Sequence, residues 1–138
     1  MTDSGITLVD ANILIDILGP SPAWAAKAEA AVDRACARGE LAINPLIFAE
    51  VCAGMDRYEI ADAALSRSMF LREDLPWDAA FLAGKAFAAY RRRGGARRSP
   101  LPNFYIGAHA AVRGHRLLTR DAARYRTYFP TVELLMPA

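Results

Sequence analysis

The chain has 138 residues, of which 54% are hydrophobic and 23% are charged. This length suits one domain, predicted to span residues 1–138, which needs no disulfide or structural metal to fold. The composition excludes an intrinsically disordered protein. No apolar run approaches the length of a membrane span and no secretory leader pattern is present, so the sequence predicts a soluble cytoplasmic protein. Cys36 and Cys52 form no CxxC pair and are predicted to be buried thiols.

Predicted strands and helices alternate along the chain. Short apolar runs indicate buried strands, and apolar residues at helical spacing indicate helices. In chain order the predicted elements are a strand at 6–9, helices at 11–18 and 22–38, a strand at 41–43, helices at 46–55 and 58–69, a strand at 70–75, helices at 77–93 and 104–113, a strand at 116–119, a helix at 122–128 and a strand at 132–135. This alternation predicts an α/β fold with a mostly parallel sheet and helices on both faces.

Three of the helices carry more detailed predictions. The 22–38 and 77–93 helices each have an apolar stripe that is expected to face the core. Asn103 stands where the N-cap of the 104–113 helix is expected. The first stripe comprises Trp24, Ala28, Ala31, Val32 and Ala35, and the second comprises Trp77, Phe81, Gly84, Phe87 and Ala88.

Three acidic residues are predicted to meet at one edge of the sheet. Asp10 directly follows the first strand, and Asp121 comes soon after the fourth. Glu50 lies in the helix after the second strand. Ligands of parallel sheets bind beyond the carboxyl ends of the strands, so these carboxylates are expected to converge, with Asn103 nearby.

Carboxylates that share a cleft repel one another, and a divalent cation relieves that repulsion. Oxygen ligands without cysteine or clustered histidine favour Mg²⁺ or Mn²⁺ over zinc. Such an ion polarises a phosphoryl oxygen and activates water. Nucleophilic triad chemistry has less support, because His109 and His115 have no partner nucleophile.

Each candidate residue also has a purely structural interpretation that the sequence leaves open. Asp10 and Asp121 are both placed to cap the helix that follows them. Glu50 is harder to explain in this way, because an unpaired carboxylate is costly to bury in an apolar segment. Asn12 either orients Asp10 or belongs to the first helical turn. Thr119 either holds a water or substrate oxygen near the metal or is an ordinary strand residue.

Arginines cluster between residues 91 and 98. All of the 17 basic residues except Lys27 and Lys85 are arginine. The cluster is either a patch that binds RNA phosphates or a solvated helix end whose charge suits the helix dipole. Its members are Arg91, Arg92, Arg93, Arg97 and Arg98.

Four segments of the chain resemble the PIN-domain family, and specifically the VapC-type toxins of bacterial toxin–antitoxin pairs. They are VDANILID at 9–16, INPLIFAEV at 43–51, LPNFYIGAHA at 101–110 and LLTRD at 117–121. Each segment alone is a weak signal, but all four occur in the order and at the separations expected for the family.

The resemblance implies a three-layer α/β/α sandwich and a Mg²⁺- or Mn²⁺-dependent endoribonuclease that leaves 5′-phosphate and 3′-hydroxyl ends. The acidic quartet of the family corresponds to Asp10, Glu50, Asn103 and Asp121. The resemblance also implies a homodimer, an RNA substrate and a cognate VapB-type antitoxin that inserts a peptide segment near the active site.

Asn103 departs from the family pattern, which has an aspartate at this position. Asparagine offers a neutral carbonyl oxygen to a metal but supplies no negative charge. We therefore expect a nuclease that is weakened or inactive, whether by deliberate substitution or as a natural variant. The alternative is a non-catalytic PIN-like module that binds RNA or a protein.

Overall fold

The computed structural model describes residues 3–97 and 101–138. In these residues, five short strands alternate with seven helices. The strands are β1 (Thr7–Val9), β2 (Leu41–Ile43), β3 (Phe70–Arg72), β4 (Arg116–Leu118) and β5 (Leu134–Leu135). The helices are α1 (Ala11–Leu18), α2 (Pro22–Arg38), α3 (Pro45–Cys52), α4 (Tyr58–Ala64), α5 (Trp77–Arg92), α6 (Pro102–Arg113) and α7 (Ala122–Arg126).

The five strands form one sheet in the order β3-β2-β1-β4-β5. Every strand pair in this sheet is parallel. From β1 the chain proceeds outward through β2 to β3, then crosses to the other side of β1 to form β4. The order therefore reverses between β1 and β4, and such a switch point opens a crevice at the carboxyl ends of the two strands.

Helices cover both faces of the sheet. Thr7, Leu8 and Val9 of β1 are all 0% exposed. Since successive strand residues point to opposite faces, full burial of three in a row requires cover on both sides. Helices α2 and α6 each pack against β4, while α1 packs on α2 and α5 on α6. The predicted three-layer α/β/α sandwich with a parallel sheet is confirmed.

Local sequence signals explain several helix ends. The Ser21 hydroxyl accepts a hydrogen bond from the Trp24 amide at the start of α2. The Asn44 Oδ1 atom accepts one from the Ile47 amide at the start of α3, at 2.9 Å. Gly114 ends α6 in the left-handed region, at φ 68°, where a residue without Cβ avoids steric strain.

The N-cap prediction for Asn103 is wrong. Helix α6 begins at Pro102 and its N-cap is Leu101, which makes no side-chain capping bond. Proline is well suited to the first helical position because its ring presets φ and that amide would be unpaired in any case. The helix therefore starts earlier than expected, and Asn103 is its second residue.

The apolar stripe predicted for α5 is wrong at Trp77 and Phe81, whereas Phe87 does pack against the core. Trp77 is 90% exposed and Phe81 is 69% exposed. The buried residues of α5 are Ala79, Ala83 and Ala86. Alanines allow two helix backbones to approach closely, and this face packs against α6.

Smaller predictions need correction elsewhere. The stripe of α2 is buried at its four smaller residues, but Trp24 is exposed. Helix α4 ends at Ala64 rather than residue 69, because the amides of Met69 and Phe70 bond to the Ser66 carbonyl in a turn. Cys36 is exposed and Cys52 half-buried, so neither is the fully buried thiol expected.

Within residues 3–97 and 101–138, no helix has both the length and the apolar character needed to cross a membrane.

Candidate active site

A cleft of about 740 Å³ lies at the switch point, beyond the carboxyl ends of β1 and β4. Asp10, Glu50, Asn103 and Asp121 all line it. The structure thus brings together the four residues that the sequence nominated for one site. Asn12 also lines the cleft, whereas Thr119 lies behind it, fully buried.

Asp10 accepts more hydrogen bonds than the other acids of the cleft. Its Oδ1 atom accepts a hydrogen bond from the Ala11 amide at 2.8 Å, so it does cap α1. Its Oδ2 atom accepts two more, from the Thr119 hydroxyl at 2.9 Å and the Tyr125 hydroxyl at 2.8 Å. Burial raises the pKa of Asp10 above its ordinary value; these donors oppose the rise, and the negative charge of Asp121 adds to it.

Thr119 connects three parts of the site through one hydroxyl group. It donates to Asp10 and accepts from the Asn12 side-chain amide at 3.3 Å and from the Asp121 backbone amide at 3.1 Å. One donor and two acceptor positions are all that a hydroxyl has. Thr119 therefore supports Asp10, and its contacts with the protein leave no position for the water or substrate oxygen that was one of its two interpretations.

Asn12 acts on Asp10 only through Thr119. Its amide nitrogen donates to Thr119, and its Oδ1 atom accepts from the Arg120 backbone amide at 3.2 Å. The Arg120 guanidinium in turn pairs with Asp16 at 2.6 Å and stacks on Trp24, 4.1 Å from the ring centre. This chain of contacts fixes the turn that carries Asp121.

Glu50 is an exposed residue of α3, so the expectation of a buried carboxylate is wrong. The surrounding protein nevertheless desolvates the Glu50 side chain and raises its pKa, and the negative charge of Asp10 raises it further. The Arg124 guanidinium acts in the opposite direction. The elevated pKa of Glu50 therefore reflects desolvation first and repulsion from Asp10 second.

Asp121 occupies the N-cap position of α7 but its side chain makes no capping hydrogen bond. Its Oδ2 atom instead pairs with the Nε atom of Arg124 at 2.8 Å. Both side chains are well exposed, so the pair adds little stability. The capping interpretation of Asp121 is wrong, and its carboxylate faces the cleft.

The arginine cluster divides into residues with different surroundings. Arg97 lines the cleft. The Arg93 guanidinium lies 5.5 Å from the ring centre of Tyr128, another residue of the cleft wall. Arg91 is tied to the loop, because it donates to the Arg97 carbonyl at 2.6 Å. Arg92 is exposed at the end of α5, and the last member, Arg98, lies outside the described residues.

Sequence reasoning missed the aromatic and basic residues that complete the cleft. Tyr125 contacts Asp10 directly, and Arg124 pairs with Asp121. Tyr90, Phe104 and Tyr128 form an aromatic wall, with edge-to-face ring contacts from Phe104 to both tyrosines. Arg124 and Tyr125 both belong to the short helix α7, which directly follows Asp121. Their closeness to Asp121 in the sequence is the one signal that could have identified them.

A second group of ionisable side chains lies outside this cleft. Among residues 3–97 and 101–138, Glu73, His109 and His115 are the one set of three such residues whose ligand atoms lie within 4.8 Å of one another. Glu73 Oε1 contacts His109 Nε2 at 3.1 Å and His115 Nε2 at 2.7 Å.

The second group is better explained as a hydrogen-bond network than as a metal site. The Oδ1 atom of Asn44 is used by the Ile47 amide, so its Nδ2 atom must donate to His109 Nδ1, 3.0 Å away. His109 therefore carries its hydrogen on Nε2 and donates it to Glu73. A metal on Nε2 would require the other tautomer and would break the α3 cap.

The fold and the cleft define an α/β protein with an acidic site at the switch point of a parallel sheet. A family model described as "PIN domain" matches residues 7–130. The chain belongs to the PIN-domain family. A search of curated proteins finds no match.

Several solved structures share the fold. A chain of VapBC2 from Rickettsia felis, bound to a DNA fragment from its promoter, matches with a TM-score of 0.68 at 17% identity, covering 96% of this chain and 99% of that one. VapBC-1 from nontypeable Haemophilus influenzae gives 0.70 at 16%, covering 95% and 97%. A toxin–antitoxin complex from Klebsiella pneumoniae gives 0.64 at 24%, covering 91% and 94%.

Proposed function

We propose that this protein is a metal-dependent endoribonuclease of the VapC toxin type, and that Asn103 weakens or abolishes its activity. The observation that carries the proposal is the convergence of Asp10, Glu50 and Asp121 with Asn103 in one cleft. Desolvation raises the pKa of Glu50 and of Asp10, and repulsion between the acids raises both further. A divalent cation would remove that repulsion.

The cleft fits Mg²⁺ or Mn²⁺ better than a softer metal. Its candidate ligands are carboxylate and amide oxygens, with Asn103 contributing at most one neutral oxygen. The carboxylate oxygens of Asp10, Glu50 and Asp121 are spaced more widely than the ligand atoms of the Glu73 group. This spacing is compatible with Mg²⁺, which commonly retains several waters and binds through one or two carboxylates. When bound, the ion polarises a phosphoryl oxygen and lowers the pKa of water.

The protein side chains supply binding and orientation around the scissile phosphate. Arg97 and Arg124 line the cleft and offer guanidinium groups to RNA phosphates. Asp10 is fixed by three hydrogen bonds, so it has little freedom to rotate when ligand binds. Tyr90 and Tyr128 present aromatic surface on which an unpaired base can stack.

The toxin assignment and the partner rest on the fold neighbours. Several of these are described as VapBC or toxin–antitoxin complexes. By analogy we propose that a VapB-type antitoxin binds this chain and inserts a segment near the cleft, and that the toxin is a cytoplasmic homodimer of single-domain chains. Size-exclusion chromatography with light scattering tests the homodimer by measuring the molar mass in solution.

The experiment that tests the proposal is an RNA cleavage assay on the chain and its Asn103→Asp variant. We expect Asn103→Asp to cleave RNA at least about 100-fold faster with Mg²⁺, because the variant restores a negatively charged ligand for the ion that would stabilise the developing charge on the phosphate. EDTA should stop cleavage, and sequencing should find 5′-phosphate ends. Adding Asp10→Asn to the active variant controls for contaminating nuclease and should abolish cleavage.

The rival function is a PIN-like module that binds RNA or a protein without cleaving. Asn103 is the observation that favours it, because the site lacks one negative charge. The same assay separates the two functions. Equal, background-level cleavage by the chain and by Asn103→Asp, together with intact RNA binding, would refute the nuclease and support the module.

A further inference from the structure

The hydroxyl of Tyr125 is buried against the first acid of the cleft. Tyr125 is 2% exposed, and its hydroxyl donates to Asp10 Oδ2 at 2.8 Å. A carboxylate oxygen only accepts hydrogen bonds, so the Tyr125 hydroxyl is the donor in this contact.

The contacts of Asp10 leave one direction open. A carboxylate has about four lone-pair positions, two on each oxygen. Tyr125 and Thr119 use both positions of Oδ2, and the Ala11 amide uses one of Oδ1. The position that remains is on Oδ1.

We infer that Tyr125 is a positioning residue that makes Asp10 a single-oxygen metal ligand through Oδ1. This inference rests on the proposed function and specifies how its metal site is built. Two hydroxyl donors on Oδ2 oppose rotation of the carboxylate and keep that oxygen from a second bond to the ion. Thr119 alone would leave Oδ2 with a free lone pair and a wider range of orientations.

The position of Tyr125 in the chain supports a role at this site. It belongs to α7, the short helix that follows Asp121. Asp121 and Tyr125 therefore belong to one short segment, and both line the cleft at the switch point. A hydrogen bond from α7 to Asp10 ties the ligand after β1 to the ligand after β4.

The test is the Mn²⁺ affinity of Tyr125→Phe, measured by calorimetry and by paramagnetic resonance of free Mn²⁺ without RNA. Loss of a hydrogen bond that orients a metal ligand typically weakens affinity about 10- to 100-fold, and we expect a loss in this range. The matched control is Tyr105→Phe, which removes a hydroxyl from a half-buried tyrosine of α6 outside the cleft. It should bind Mn²⁺ like the unaltered chain.

Measurements in the Asn103→Asp background separate this inference from the proposed function. If Tyr125→Phe binds Mn²⁺ as tightly as its parent, or more tightly, the positioning role is overturned and the metal site stands. If Glu50→Gln leaves Mn²⁺ binding unchanged, or no Mn²⁺ binds, the metal site itself is overturned and the role of Tyr125 with it. A lower melting temperature with unchanged Mn²⁺ affinity would show that Tyr125 is purely structural.

Discussion

The acids of the cleft interact electrostatically even without a bound ligand. Glu50 has a pKa above its ordinary 4.5, because of desolvation and the charge of Asp10. A carboxyl group whose folded-state pKa is raised destabilises the fold when it is ionised, because the unfolded chain ionises it more readily. At neutral pH, Glu50 therefore costs the metal-free protein some stability.

We predict that Glu50→Gln raises the melting temperature of the metal-free protein at pH 7 by about 1–3 °C, a small shift that allows for solvent screening. The difference should shrink as the pH falls through the folded-state pKa of Glu50 and disappear below the ordinary value of 4.5, where the carboxyl becomes protonated in both states. Melting curves between pH 4 and 8 measure this. Glu40→Gln removes the same charge outside the cleft, and an equal gain there would contradict the prediction.

The sequence predicts the acidic residues of the cleft better than it predicts the residues that hydrogen-bond to them. Asp10 and Asp121 are recognisable because each follows a short apolar strand, and parallel strands bring their carboxyl ends together. Tyr125 carries no such signal. Its contact with Asp10 depends on the direction in which α7 leaves Asp121, and that direction is set by tertiary packing.

At the scale of elements, close packing of α5 and α6 with their neighbours depends on small residues. Gly107 is buried within α6, and a Cβ atom there would overlap the ring of Phe129, itself 2% exposed. Gly84 is also inside a helix, α5, but a Cβ atom there would meet nothing within 4 Å. The two glycines form a matched pair with opposite environments.

We predict opposite effects of alanine at these two positions. Gly107→Ala should lower the free energy of unfolding by about 1–3 kcal/mol, because the Phe129 ring or α6 must shift. Gly84→Ala should raise it by about 0.5–1 kcal/mol through helix propensity alone. Urea unfolding measures both, and a stabilised Gly107→Ala would show that α6 does not pack closely on Phe129.

The incorrect prediction of the buried face of α5 has the same physical origin, which is close helix packing through small residues. Hydrophobicity favours burying the face that carries Trp77 and Phe81, whereas the structure buries Ala79 and Ala83 instead. An alanine face gains less from burial per residue, but it permits a short distance between helix axes. The sequence predicts the helical period of α5, but packing against α6 determines which face is buried.

For the whole molecule, the order of the strands decides where function is located. The alternation of strands and helices predicts a parallel sheet, but it does not specify the order β3-β2-β1-β4-β5. That order places β4 beside β1 and so brings Thr119 to Asp10 across 109 positions of sequence. Local patterns do not show which distant segments come together. The resemblance of four separated segments to one family does indicate this, because those segments meet only in the folded chain.

The net charge of +2 conceals an uneven charge distribution around the cleft. Three acids line it, and two arginines, Arg97 and Arg124, line its wall. Arg93 lies against Tyr128 at the same wall. If RNA binds this surface, as proposed, it releases counterions, and the slope of log affinity against log salt is then proportional to the number of phosphates contacted.

We predict that replacing Arg93 and Arg97 with glutamine flattens the salt dependence of RNA binding. Each lost phosphate contact should reduce the slope of log affinity against log salt by about 0.7, so the double variant should lose about 1.4. Fluorescence anisotropy with single-stranded RNA from 50 to 300 mM salt measures the slope, with EDTA present to prevent cleavage. Arg34→Gln removes one exposed positive charge from α2, away from the cleft, and should leave the slope unchanged. An unchanged slope in the double variant would exclude these arginines from the RNA path and favour the interpretation of the cluster as a solvated helix end.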